Sequence, residues 1–217
     1  VAQKVSLARL HVVRSAPEPV RPDRLELQVS DAELVERLAG GDHWAKEALY
    51  RRYVRAVWST ALRLMGTRAD AEDVVQDTFA EALRDLSLLR KPEALRPWLL
   101  QIVVHQAHRR FRRRGILRKL GLDRGTPDAT FAALAHPGAS SDVRAELGLV
   151  DRALSRVSTE ERFAWILRHV EGHSLEEVAA ACNCSLATTK RRIAKASACV
   201  EQHLGREASF EKEATHD

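Results

Sequence analysis

Apolar residues recur every three to four positions through most of the chain, and no stretch alternates with the period of two that a half-buried strand requires. From Asp31 to Arg114 they fall into successive helical sets. The sets are Leu34 and Leu38; then Leu49, Val54, Trp58, Ala61, Leu62 and Met65; then Val74, Val75, Phe79, Leu83 and Leu86. A further amphipathic helix begins near Pro97, with Leu99, Ile102 and Val103 inward. The segment 121–141 concentrates Gly, Pro, Asp and Ser without periodicity, and reads as a linker. Helical patterning then resumes to Leu204. The expected architecture is all-α: two small helical domains, 31–114 and 146–204, joined by a flexible linker over 115–145. An N-terminal extension covers 1–30 and a polar tail covers 205–217.

The second domain carries the sharper local signals. Ser158 with Glu161 and Ser174 with Glu177 have capping-box spacing, each opening a helix. Phe163, Ile166, Leu167 and Val170 form the inner side of the first helix, and Leu175, Val178 and Ala179 that of the second. Asn183, Cys184 and Ser185 make a short turn, with Ser185 placed to cap the helix that follows. This is a helix-turn-helix pattern. Thr188, Thr189, Lys190, Arg191, Arg192 and Lys195 occupy the part of the second helix that such motifs insert into the DNA major groove, with Ile193 facing the first helix. A helical hairpin with a solvated basic face is the bland alternative.

The first domain has two polar surfaces of opposite sign. In DAEDVVQDTFAEAL, Asp70 reads as an N-cap, and Asp73, Gln76, Asp77 and Glu81 share one face. Acids in the first turns complement the helix dipole and keep a surface soluble, and they also suit docking on a basic partner. In HRRFRRR, five of the six positions 109–114 are arginine, which exceeds what a helix C-terminus needs and favours nucleic acid. The connector before this helix, DLSLLRKPEALRPW, sets Leu88, Leu89, Arg90, Lys91 and Trp98 beside it. Apolar and cationic groups in a loop can hold an unstacked base, although Trp98 serves equally well as core filling.

Composition agrees with a polyanion partner. The chain has 217 residues, 45% hydrophobic and 30% charged, with 35 Lys and Arg against 30 Asp and Glu and a formal net charge of +5. The placement of the cations therefore matters more than their total. Three cysteines, two of them as Cys182-Asn183-Cys184, do not form a disulfide framework and indicate a reducing, cytoplasmic setting. Lys4, Arg9, His11 and Arg14 interrupt any signal-peptide core, and no apolar run reaches transmembrane length. No phosphate loop or nucleophile–base motif is present, so no enzymatic activity and no cofactor is expected. His169, His173, Cys182 and Cys184 match no standard zinc spacing, and no metal is expected.

These blocks, LYRRYVRAVWSTALRLMGTRADAEDVVQDTFAEAL, RPWLLQIVVHQAHRRFRRR and ALSRVSTEERFAWILRHVEGHSLEEVAAACNCSLATTKRRIAKA, resemble bacterial RNA polymerase sigma factors of the extracytoplasmic-function group in the sigma-70 family. The likeness covers roughly 31–114 and 146–204. It implies a protein that binds core RNA polymerase, directs it to promoter DNA and helps melt the minus-ten region. Polymerase docking would map on Asp73, Gln76, Asp77 and Phe79. Minus-ten contacts would map on Leu88, Leu89, Arg90, Lys91, Trp98, His105, Arg109, Arg112 and Arg113. Minus-thirty-five contacts would map on Thr188, Thr189, Lys190, Arg191, Arg192 and Lys195. The chain departs from the family pattern at His105, where Asn is common, and at Ala187-Thr188-Thr189-Lys190, where Gly-Thr-Val-Lys often stands. An anti-sigma protein is the further candidate partner. Two other functions fit parts of the pattern: a helix-turn-helix regulator acting without polymerase, and a decoy that binds an anti-sigma protein.

Overall fold

The computed structural model describes residues 29–119, 131 and 140–214, and side chains up to residue 116 in the first stretch and 205 in the last. Residues 1–28, most of the expected linker and residues 215–217 lie outside the described residues. Within them are eight helices and no strand. They form two compact units.

The first unit contains α1 (Asp31–Ala39), α2 (His43–Met65), α3 (Arg68–Arg84) and α4 (Leu95–Lys119). Each boundary has a local cause. The Ser30 side chain accepts from the Glu33 amide and Asp42 from the Trp44 amide, which caps the first turns of α1 and α2. Gly66 ends α2 at φ 76°, a left-handed conformation that a Cβ would strain. Thr67 then caps α3 by accepting from the Asp70 amide. Thr67 therefore takes the role expected for Asp70, which sits a turn inside the helix. Pro97 is the third residue of α4 rather than its first, still in the turn where a missing N–H leaves no bond unmade.

Helices α2, α3 and α4 pack on one another, and α1 lies against α2. Leu49, Leu64 and Met65 of α2, Val74 of α3 and Leu95, Leu99 and Val103 of α4 are almost wholly buried. Asp31 fastens α1 to α2 by accepting from Arg52 at 2.8 Å and from the Tyr53 hydroxyl at 2.5 Å. Burial, then the bond to Asp31, pushes the Tyr53 hydroxyl well above its usual pKa. The connector between α3 and α4 holds two single 3₁₀ turns, Leu86–Leu88 and Pro92–Ala94. Helix α4 continues to Lys119, so residues 115–119, expected in the linker, are helical.

The second unit contains α5 (Ser141–Leu154), α6 (Thr159–His169), α7 (Leu175–Ala181) and α8 (Leu186–Ala214). Both expected capping boxes are formed, with Ser158 and Glu161 at α6 and Ser174 and Glu177 at α7. Helix α8 packs on α5, α6 and α7. Its Ile193, Ala196 and Val200 enter a core with Leu147 and Leu154 of α5, Phe163, Trp165, Ile166 and Leu167 of α6, and Val178 of α7. Two boundaries differ from expectation. Residues 141–145, assigned to the linker, begin α5, and the segment assigned to the tail stays helical to Ala214. No helix among the described residues is long and apolar enough to cross a membrane.

Candidate polymerase and nucleic-acid interfaces

The basic run of α4 divides into two sets. Leu99, Val103 and Ala107 form its buried side, and continuing that side at helical spacing brings Arg110 and Arg114 toward α3. There they meet Asp70, which is buried to 8% exposure. Arg110 Nε donates to Asp70 Oδ1 at 3.0 Å and Arg114 Nη1 to Asp70 Oδ2 at 2.6 Å. The Thr67 hydroxyl donates to the same Oδ2 at 2.6 Å. Arg110 also pairs with Asp73. Two of the five arginines thus serve the packing of the unit. His105, Arg109, Arg112 and Arg113 are exposed, and they form the outward stripe.

Trp98 begins that stripe and is half-buried, so it neither fills the core nor stands clear of it. In the connector, Leu88 is 69% exposed, Arg90 and Lys91 are exposed and Leu89 is half-buried. Of the minus-ten residues expected from the sequence, Leu88, Leu89, Arg90 and Lys91 thus precede α4, and Trp98, His105, Arg109, Arg112 and Arg113 lie along it.

The acidic face of α3 is narrower than its spacing suggests. Gln76 and Asp77 are exposed, and Asp73 is partly occupied by Arg110. Glu81 turns aside to accept from the buried Gln106 of α4. Phe79, expected as a docking residue, is buried, with its ring 4.9 Å from that of Tyr50. Tyr50, 47% exposed, and Leu83, 39% exposed, supply the apolar surface beside the acids. Neither was expected from the sequence, since each occupies an apolar position in its helix's period. A buried aromatic neighbour raising one of them to the surface is visible only after packing.

In the helix-turn-helix, Asn183 takes φ 47° in the turn and Ser185 caps α8 by accepting from the Thr188 amide at 3.2 Å. Thr189, expected at the DNA face, is completely buried. Its hydroxyl donates to the Ser185 carbonyl at 3.2 Å and contacts Cys184 Sγ at 3.3 Å, so it supports the turn. Lys195 reaches back to Glu161 of α6 at 2.7 Å. Glu161 holds Ser158 and Lys195 together. Burial raises its pKa, but the bonds from Lys195 and Ser158 outweigh this and leave it lowered. Lys190 and Arg191 are exposed, with Thr188 and Arg192 partly so. Leu186 and Ala187, at the start of α8, complete this face and were not expected. Their position in the first turn after the cap was the signal available for them.

The three cysteines are free thiols. Burial, with smaller contributions from Cys184 and Glu160, pushes the Cys182 thiol up to about 12 against the opposing Arg192. Burial, then Arg168, lowers the pKa of His169, whose ring lies 5.0 Å from Trp165. No group of three metal-capable side chains occurs among the described residues.

An acid-faced helix beside a cation-faced helix in one unit, and a basic helix-turn-helix in the other, define a helical protein with a cationic surface on each unit. Residues 49–116 match the family model for sigma-70 region 2, and residues 147–200 that for sigma-70 region 4. The chain is 31% identical over 177 residues to the ECF RNA polymerase sigma factor SigM of Mycobacterium tuberculosis, spanning 81% of this chain and 85% of that protein. It is 29% identical over 184 residues to the RNA polymerase sigma-H factor of Pseudomonas aeruginosa, spanning 82% and 95% respectively. Among solved structures it resembles the sigma factor RpoE of Bartonella quintana, determined with the anti-sigma factor NepR. The TM-score is 0.56 at 27% identity, covering 72% of this chain and 94% of that one. The chain belongs to the extracytoplasmic-function group of sigma-70 family sigma factors. Its partners are accordingly core RNA polymerase and promoter DNA, and its task is the initiation of transcription.

Proposed function

We propose how the two units divide that task. Gln76, Asp77 and the outer edge of Asp73, flanked by Tyr50 and Leu83, dock on a basic surface of core polymerase. The connector between α3 and α4 takes the base extruded from the minus-ten element, using Leu88, Leu89, Arg90, Lys91 and Trp98. His105, Arg109, Arg112 and Arg113 follow the adjoining phosphates. Thr188, Lys190, Arg191 and Arg192 of α8 meet the minus-thirty-five element together with Leu186 and Ala187. Thr189 and Lys195 hold α8 in place for them.

The observation that carries this reading is the sorting of the arginine run 109–114 of α4, in which Arg109, Arg112 and Arg113 are exposed while Arg110 and Arg114 are held by Asp70 of α3. Opening then requires no covalent bond to be made or broken. Unstacking a base costs a few kcal/mol per step, and a pocket that binds only the extruded base shifts the equilibrium by its differential affinity for the open state. The protein acts in the cytoplasm, beside polymerase and DNA. An anti-sigma protein is a further partner, supported by the B. quintana relative captured with one.

Run-off transcription with core polymerase on genomic fragments, followed by permanganate mapping, tests the assignment. Leu88→Ala with Arg90→Ala should spare closed complexes and reduce permanganate-reactive ones. Equal loss of both would refute the melting role. Asp77→Lys should weaken core binding without altering helicity.

A further inference from the structure

Asp70 and Asp73 stand one turn apart on α3 and share Arg110 of α4. The two halves of this arrangement are differently exposed. The Asp70 side chain is 12% exposed and that of Asp73 47%, with Arg110 between them at 30%. The Nε donor of Arg110 is thus held by a buried carboxylate, whereas its Nη2 donor meets a carboxylate at the surface. That outer pair lies on the seam between the acidic face of α3 and the cationic stripe of α4, with exposed Arg113 three residues from Arg110. An exposed ion pair is weak enough to be exchanged for another, and a guanidinium keeps its plane when one donor is released.

We infer that Arg110 couples the two faces of the first unit. A partner cation that takes Asp73 releases Nη2 of Arg110, which then adds one phosphate contact to the stripe of Arg109, Arg112 and Arg113. Asp70 keeps Nε, so the arginine is already aimed when it is released. Before docking, Asp73 masks this cation and holds down affinity for DNA at large. Coupling of this kind is reciprocal, so DNA on the stripe also strengthens docking at Asp73. The inference rests on the proposed docking of Asp73 on core polymerase.

The test uses the full chain and a labelled non-promoter duplex, with affinity measured across a range of salt. Asp73→Asn should steepen the dependence of log K on log salt by ~1, so that between about 50 and 200 mM the variant loses about four-fold more affinity than wild type. The gain should vanish in Asp73→Asn/Arg110→Gln. Asp77→Asn removes an equal charge one turn away, where no ion pair is formed among the described residues, and should leave the slope unchanged. In the holoenzyme, Asp73→Asn and wild type should share one slope, because polymerase has already taken Asp73. An unchanged slope in the free chain, an equal gain from Asp77→Asn, or a gain that survives loss of Arg110 would overturn the masking. A difference that persists in the holoenzyme would overturn the coupling. Core affinity, measured separately, should fall in Asp73→Asn, and an unchanged value would overturn the docking reading even if the free-chain slopes behave as expected.

Discussion

Removing the carboxylate of Asp70 should unfasten α4 from α3. In Asp70→Ala, Arg110 and Arg114 lose a partner at 3.0 and 2.6 Å, and the Thr67 hydroxyl loses its acceptor. Breaking a fully buried ion pair from one side costs ~3–5 kcal/mol because a charge is stranded. Here Arg110 keeps its pair with Asp73, and the two arginines are 30% and 13% exposed and regain some hydration, which brings the expected loss to ~2–3 kcal/mol. For a unit of this size each kcal/mol moves the midpoint by about 4–8 °C, so the first unit should melt roughly 10–20 °C lower. Asp70→Asn keeps an acceptor for Thr67 and should lose less. Thermal unfolding of the full chain measures the shift, and hydrogen exchange locates it: amides of α3 and α4 should lose protection while those of α6 to α8 keep theirs. A double-mutant cycle isolates the ion pairs, since Asp70→Asn should be nearly silent once Arg110 and Arg114 are both Gln. A midpoint indistinguishable from wild type in Asp70→Ala, or equal losses in both backgrounds, would refute the claim that these ion pairs fasten the helices.

Four further outcomes are expected. Thr189→Val should lower the stability of the second unit by ~0.5–1.5 kcal/mol, from the lost hydroxyl bond, and leave the promoter footprint unchanged. Arg191→Ala should do the reverse: ~1–3 kcal/mol in upstream-element affinity with an unchanged melting point, read by footprinting beside thermal unfolding. His169 is held below the ordinary histidine value of 6.5 by burial and Arg168, so the unfolded chain binds its proton more readily. Stability of the second unit should therefore fall as pH drops below about 6.5 toward the folded pKa, and His169→Leu should flatten that fall in urea midpoints measured across the range. Cys182, raised to about 12, should be alkylated at mildly alkaline pH far more slowly in the native chain than in urea, as mass spectrometry can follow.

What the sequence determined by itself is local or repetitive. Helical period, the Ser158 and Ser174 capping boxes, the turn at Asn183 to Ser185 and the density of arginine at 109–114 each depend on residues within a few positions of one another. Such patterns specify all-α units, a helix-turn-helix and the family, because hydrogen bonds within a helix and its caps close over three or four residues. Tertiary structure decided which charges are spent. Asp70 and Arg114 are 44 residues apart in the chain, and Glu161 and Lys195 are 34 apart, so no local pattern shows that these groups meet. The same holds for burial at the margins of an amphipathic stripe. Thr189 is drawn inward by the Ser185 carbonyl and Cys184, while Tyr50 stays half exposed with its ring against that of buried Phe79. A side chain at the edge of its helix's apolar face goes to whichever side its neighbours on other helices leave open, and only the packed structure contains those neighbours.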